Sequence, residues 1–327
     1  MDKPLILVVG GAGYIGSHMV LDLLRAGYPV VTLDNLSRGH RDLLPGGEFV
    51  EGDLGNSADL RRVFSDYPVR AVMHFAAHSQ VGESVERPLM YYRNNVANTI
   101  NLLEAMLEAG VGHFIFSSTA AVYGEPVRVP ITEDHPLSPT NPYGATKLAV
   151  ERLLADLGPA SGLTWSVLRY FNAAGADASG TIGERHEPET HLIPLVLQVA
   201  TGQRSGIRIF GDDYPTPDGT CLRDYVHVSD LTRAHLLALE ALLAGGASST
   251  YNLGNSTGYS VRQVIDVARA VTGHPIPAEI APRRAGDPAV LVADSERIRA
   301  ELGWRPAYED LDAIVRTAWE WHQREAG

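Results

Sequence analysis

The sequence predicts an α/β protein: a doubly wound parallel sheet followed by a smaller C-terminal α/β domain. Three observations carry this. Apolar runs in the N-terminal half are continuous rather than alternating, as in strands buried on both faces. Amphipathic helical stretches alternate with those runs, the pattern of right-handed crossovers in one sheet. After about Phe171 the pattern lapses into sequence rich in Gly, Ala and charge, which marks a second domain. A chain of 327 residues holds one large α/β domain or a large one plus a small one.

Each element has its own signal. Strands are expected at residues 5–9, 30–33, 49–51, 71–75, 114–117 and 165–169. Helices are expected at 17–26, 58–64, 96–109 and 143–157, where apolar residues recur at helical spacing. Residues 173–190 show no clear period, and 211–219 (Gly-Asp-Asp-Tyr-Pro-Thr-Pro-Asp-Gly) read as a turn-rich loop. Helices recur at 191–201, 229–244, 260–271 and 311–324. The expected division is therefore 1–172 and 173–327, with a segment at about 225–245 rejoining the first domain.

Composition removes several classes of function. The formal net charge is −12 with no basic stripe, so no nucleic-acid partner is expected. No run of eighteen apolar residues occurs, so no membrane span is expected. The first residues enter a strand pattern without a basic segment or cleavage site, which argues against a signal peptide. Cys221 is the only cysteine, so no intrachain disulfide can form and a reducing cytoplasm is the expected location.

The loop Gly10-Gly11-Ala12-Gly13-Tyr14-Ile15-Gly16 lies between a strand and a helix, and Asp34 ends the next strand 18 residues after Gly16. Glycines permit a tight turn and close backbone approach, while the helix N-terminus offers N–H groups and a positive dipole end to a pyrophosphate. Asp34 would accept from ribose hydroxyls and repel a 2′-phosphate, so the expected cofactor is NAD on a Rossmann-type domain. Asp53 ends the third strand and reads equally as an acceptor for adenine or as a helix N-cap.

Tyr143 and Lys147 stand four apart on one expected helix face. Among 27 basic residues only Lys3 and Lys147 are lysines, and 13 tyrosines would meet one at this spacing by chance less than about once in ten such chains. An ammonium near a phenol favours the phenolate, so Tyr143 is the expected proton acceptor, with a lowered pKa, and Lys147 its helper. The segment Ser117-Ser118-Thr119 follows the fifth strand; its hydroxyls read evenly as sugar contacts or as a Ser/Thr turn. His186-Glu187-Pro188-Glu189-Thr190-His191 superficially suggests a zinc helix. Its histidines are five apart with a proline between, so no metal is expected.

Assembled, these residues resemble the extended short-chain dehydrogenase/reductases, and within them the UDP-glucose 4-epimerase family. The likeness runs essentially end to end, through Leu33-Asp34-Asn35, Tyr143-Gly144-Ala145-Thr146-Lys147, Leu168-Arg169-Tyr170-Phe171-Asn172, Asp213-Tyr214-Pro215-Thr216 and Arg223-Asp224-Tyr225-Val226-His227-Val228. It implies interconversion of UDP-glucose and UDP-galactose through a transient 4-keto sugar, with NAD kept and regenerated. It implies Tyr143, Lys147 and Thr119 as catalytic residues. Gly10, Gly13, Tyr14, Ile15, Gly16, Asp34, Asn35, Asp53, Leu54, Phe75, Ala76, Asn94, Tyr143, Lys147, Tyr170 and Phe171 would line the cofactor. Thr119, Tyr143, Asn172, Leu192, Phe210, Arg223, Arg284 and Asp287 would hold the UDP-sugar, and the family is commonly homodimeric. Without the likeness, Arg223 and Arg284 read evenly as diphosphate forks or as solvated surface.

Three departures matter. Thr119 replaces a frequent Ser but keeps the hydroxyl. Ser79 stands where some members place a cofactor-contacting lysine, and Leu291 where some have a large Tyr, which implies room for N-acetylated UDP-sugars. The rival readings are a UDP-glucuronate or UDP-pentose 4-epimerase, a nucleotide-sugar dehydratase, and a non-catalytic NAD-sensing protein. Ala120-Ala121 after Thr119 disfavours the dehydratase, whose members place an Asp-Glu pair there, and the retained Tyr143 and Lys147 disfavour the sensor.

Overall fold

The strands are β1 (Leu5–Val9), β2 (Val30–Asp34), β3 (Glu48–Glu51), β4 (Val69–His74), β5 (His113–Thr119), β6 (Thr164–Tyr170), β7 (Asn172–Ala174), β8 (Ile207–Phe210), β9 (Leu222–His227), β10 (Ser249–Leu253), β11 (Gly258–Ser260), β12 (Ala278–Ala281) and β13 (Val290–Leu291). The α-helices are α1 (Tyr14–Arg25), α2 (Ser57–Asp66), α3 (Val81–Glu86), α4 (Pro88–Tyr92), α5 (Asn98–Glu108), α6 (Pro142–Ser161), α7 (Leu192–Ala200), α8 (Val228–Leu243), α9 (Val261–Thr272), α10 (Glu296–Leu302) and α11 (Leu311–Ala326). This is a computed structural model, and it describes residues 3–284 and 287–326. Met1, Asp2, Ala285, Gly286 and Gly327, which the expected domain ranges include, lie outside the described residues.

Seven strands form one sheet in the order β10-β6-β5-β4-β1-β2-β3. Pairing is parallel from β3 through β2, β1 and β4 to β5. The chain winds outward from β1 to β3, then crosses to β4 on the other side of β1. That reversal opens a crevice at the carboxyl ends of β1 and β4, the place where such sheets bind ligands. The central strands β1 and β2 are mostly apolar because helices cover the sheet. Leu7, Val9, Val31, Leu33, Val72, Phe114 and Val167 form one core with Leu60 of α2, Leu103 of α5 and Leu154 of α6.

The chain divides into two compact units: Met1–Gly124, Pro136–Arg169 and Thr232–Tyr251 in the first, Glu125–His135, Tyr170–Leu231 and Asn252–Gly327 in the second. In the second unit β9 is flanked by β11 and β13 and also pairs with β7, while β8 pairs with β12. Its core gathers Ile193, Val196 and Leu197 of α7, Val264 and Ile265 of α9, and Ile314 and Val315 of α11.

Two differences from the sequence-based boundaries have local causes. Residues 170–172 and 225–231 belong to the second unit because β7 and β9 pair with each other. Residues 249–253, Ser-Thr-Tyr-Asn-Leu, had no strand signal, yet form the outermost strand of the large sheet beside β6. An edge strand needs no continuous apolar run.

Candidate active site

The loop after β1 is built around absent side chains. Gly10 has φ +78°, and a Cβ there would lie 2.5 Å from the Ala76 nitrogen. A Cβ on Gly16 would lie 2.1 Å from the Gly10 carbonyl oxygen. The loop is tied to the end of β4, since the N–H groups of Phe75 and Ala76 both donate to Val9 O, at 2.8 and 3.1 Å. Gly13 is the N-cap of α1 and supplies no side-chain acceptor, so the positive end of a twelve-residue helix faces this loop. Tyr14 is buried and Ile15 half-buried in the first turn.

Asp34 closes β2 beneath that loop. Its carboxylate accepts from Ala12 N at 3.0 Å and Leu36 N at 2.8 Å. Burial pushes its pKa up, opposed by those backbone bonds. Asn35 donates to Asp53 at 2.6 Å, which joins the ends of β2 and β3. The alternative left open for Asp53 is settled against a cap: Asn56 is the N-cap of α2, its side chain accepting from Ala58 N. Leu54 is buried, its carbonyl accepting from Asn101. Asn94 sits in a π-helical turn, residues 93–97, a distortion common at functional sites. Beside it Asn95 bonds His78 O and Thr146 of α6, at 3.0 and 3.1 Å. Ser79 is exposed.

These features fit a dinucleotide. A cradle that any Cβ would fill, a helix N-terminus and an acceptor-only carboxylate match a pyrophosphate and a ribose diol.

The reactive groups sit on α6 and β5. Asn141 caps α6 by accepting from Gly144 N at 2.9 Å, which fixes the helix start next to Tyr143. Lys147, one turn on, is buried; its Nζ donates to Ser117 O at 2.8 Å and lies 4.8 Å from the Phe116 ring centre. Thr119 forms the turn that was one of the two readings. Its Oγ1 accepts from Ala121 N at 3.1 Å, capping the turn after β5, and its hydroxyl hydrogen-bonds Tyr143.

The expected lowering of the Tyr143 pKa does not hold for the chain alone. Burial pushes it up to about 12, opposed only by the Thr119 hydrogen bond. Desolvation wins because Lys147 spends its charge on Ser117 O and is itself brought down to about 7 by burial, with Glu151 pulling the other way. His74 reinforces this arrangement by staying neutral: burial and Lys147 bring it down to about 3.

Sequence reasoning missed the support behind Lys147. Glu151, a further four residues along α6, is buried against Arg169, with N–O distances of 2.6 and 3.1 Å. Ser118 donates to the same carboxylate, and Arg169 also reaches the Tyr123 hydroxyl at 3.0 Å. The signal was present as a 143-147-151 ladder at helical spacing.

In the second unit, four of the predicted sugar-nucleotide residues meet. Arg284 pairs with Asp287 at 2.8 Å and covers the Phe210 ring at 4.8 Å. Arg223 lies 3.9 Å from Asp287 and donates to Pro288 O at 2.8 Å. Asn172 lies on β7 in register with Tyr225, and Leu192 opens α7. Phe171 donates to Leu253 O at 3.2 Å, and Tyr170 ends β6.

Residues 6–254 match the model of the NAD dependent epimerase/dehydratase family. A UDP-glucose 4-epimerase of Halalkalibacterium halodurans is 57% identical over 97% of this chain and 95% of its own. The crystal structure of a UDP-glucose 4-epimerase from Brucella ovis in complex with NAD superposes with TM-score 0.95, at 49% identity over 97% of this chain and 98% of that one. That from Bifidobacterium longum in complex with NAD+ and UDP superposes with TM-score 0.94, at 39% identity over 98% of both. Among the described residues no helix is long and apolar enough to cross a membrane. The chain belongs to the NAD dependent epimerase/dehydratase family and, within it, to the UDP-glucose 4-epimerases.

Proposed function

We propose that this chain interconverts UDP-glucose and UDP-galactose by inverting C4, with NAD resident on the first unit. The observation that carries this is the ladder on α6. A phenol, an ammonium and a paired carboxylate stand in order on one helix, with the phenol hydrogen-bonded to Thr119. NAD bound there would supply the hydride acceptor and donor for C4. Gly10, Gly13, Tyr14, Ile15, Gly16, Asp34, Asn35, Asp53, Leu54, Phe75, Ala76 and Asn94 of the first unit would hold it.

Tyr143 takes the O4 proton and gives it back. A phenol at about 12 is almost wholly protonated at neutral pH, so its base role needs positive charge close by. Lys147 is the cation this chain supplies, and Glu151 acts as a positioning residue by keeping that cation protonated. Thr119 orients the phenol. Arg223 and Arg284 hold the diphosphate, with Asn172, Leu192, Phe210 and Asp287 around the nucleotide. Planar guanidinium forks suit phosphate oxygens.

A second substrate class follows from Leu291. It lies on β13 in register with Arg223 and is half-buried. A medium-sized aliphatic there leaves room for an N-acetyl group. Assay of a panel of UDP-sugars with NAD supplied tests both readings. Conversion of UDP-galactose is expected, and UDP-N-acetylgalactosamine within about tenfold of it. Turnover of a UDP-pentose or UDP-glucuronate alone would replace the assignment, and no N-acetyl turnover would end the Leu291 reading.

The cytoplasm is the compartment that the lone cysteine supports. A homodimer is the assembly we favour. Val81, Val85, Leu89, Tyr92 and Ile100 are all exposed within α3, α4 and the start of α5, with Leu89 84% exposed. Apolar surface of this kind marks a protein interface. Light scattering is expected to give twice the chain mass, and Leu89→Asp to shift it toward monomer; an unchanged mass would remove this surface from the interface.

A further inference from the structure

We propose that the loop Glu184, His186, Glu189 and His191 is a structural site for a divalent transition cation of the Zn²⁺ class. The expectation from sequence was that this segment binds no metal, because a helix cannot bring histidines five apart onto one face. The loop does it without a helix. The segment runs in irregular backbone, and α7 begins only at Leu192.

One ligand atom from each of the four side chains lies within 4.8 Å of every other. The Nδ1 atoms of His186 and His191 converge on one oxygen of Glu184, His186 at 3.0 Å and His191 closer still. One oxygen of Glu189 lies 3.8 Å from the same His186 nitrogen. Its other oxygen is fixed by the N–H groups of Thr190 and His191, at 2.6 and 2.8 Å, so the backbone aims the first one. The imidazole rings stand edge to face, 89° apart.

Two imidazoles joined to two carboxylates suit Zn²⁺ better than Mg²⁺ or Ca²⁺, which take oxygen donors. Zinc bonds of about 2.0–2.2 Å place tetrahedral donors roughly 3.3–3.6 Å apart. The observed spacings bracket that range, so each donor need move by no more than about 1 Å. Without a metal, two Nδ1–H groups crowd onto one oxygen; a cation replaces both protons with one shared centre.

The surroundings hold the frame. The Trp321 indole donates to Glu184 O at 3.1 Å, and Arg185 is paired with Glu325 at 2.6 Å. His322 also faces Glu184, Glu189 and Glu325. All four ligands lie in the segment that ends one residue before Leu192, so the cation would fix that segment's irregular backbone, a structural role.

The test uses the untagged full-length protein with its bound NAD, stripped with a chelator, titrated with zinc chloride and passed through gel filtration. About one zinc per chain is expected by mass spectrometry, with Tm raised by about 4 °C at 100-fold over Kd. The double variant His186→Ala/His191→Ala is expected to retain less than about a tenth of that zinc and show no Tm shift, while His274→Ala behaves as wild type. Wild-type protein with less than about a tenth of an equivalent overturns the proposal whether or not the double variant folds. So does a folded double variant that keeps its zinc.

Discussion

The charges on α6 and those around Asp287 are treated in opposite ways. On α6 the Lys147 side chain is 3% exposed and Glu151 7%, and each is fixed by protein partners. In the second unit the Arg284 side chain is 60% exposed, and both it and Arg223 lean on a single acid, Asp287. Buried charges need complete partnerships, because an unpaired one costs several kcal/mol. Exposed ones are screened and can exchange partners at little cost. The charges on α6 are therefore already partnered within the fold. In the second unit Arg223 and Arg284 share one carboxylate and stay free to exchange it.

The sharpest way to break this contrast is Tyr143→Phe. Turnover is expected to fall by about 10²–10⁴-fold while NAD content after purification stays unchanged. Near-normal turnover would take Tyr143 out of the base role.

Glu151→Gln is next. Arg169 would lose its buried partner, at a cost of about 3–5 kcal/mol seen as a lower Tm. Glu151 raises the Lys147 pKa, so without it Lys147 discharges at lower pH. Activity should then be lost at neutral pH and partly recovered on the acid side. A pH profile matching wild type would confine Glu151 to structure.

Arg284→Ala should behave differently, with KM raised about tenfold, kcat within about threefold, and stability within about 0.5 kcal/mol. A collapse in Tm would mean that the Arg284–Asp287 pair supports the fold as the charges on α6 do.

The smallest effect is in stability against pH. The Lys147 pKa is depressed in the fold, so between about 7 and its unfolded value the unfolded chain binds more protons. Stability from this group rises with pH across that window. Wild type is expected to gain Tm relative to Lys147→Met between pH 7 and 10 when both lack cofactor; parallel curves would contradict the buried-lysine account.

Much of the first unit was legible because its signals are local. Strands buried on both faces must be continuously apolar, and the Gly10 and Gly16 positions admit no side chain, so both leave direct marks in the sequence. The spacing of Tyr143 and Lys147 was visible for the same reason. What escaped depends on distant partners. Arg169 meets Glu151 across 18 residues, and no periodicity announces that. The raised Tyr143 pKa escaped because desolvation is a property of the assembled site rather than of spacing. Helices α3 and α4 gave no core stripe because Val81, Val85 and Leu89 face outward.

The central claim is that the dinucleotide cradle grips a resident NAD that is restored within every turnover. Purified protein should therefore convert UDP-galactose to UDP-glucose with no cofactor added, and release about one NAD per chain only on denaturation. Absence of conversion until NAD is supplied, or a rate that tracks free NAD concentration, would contradict it.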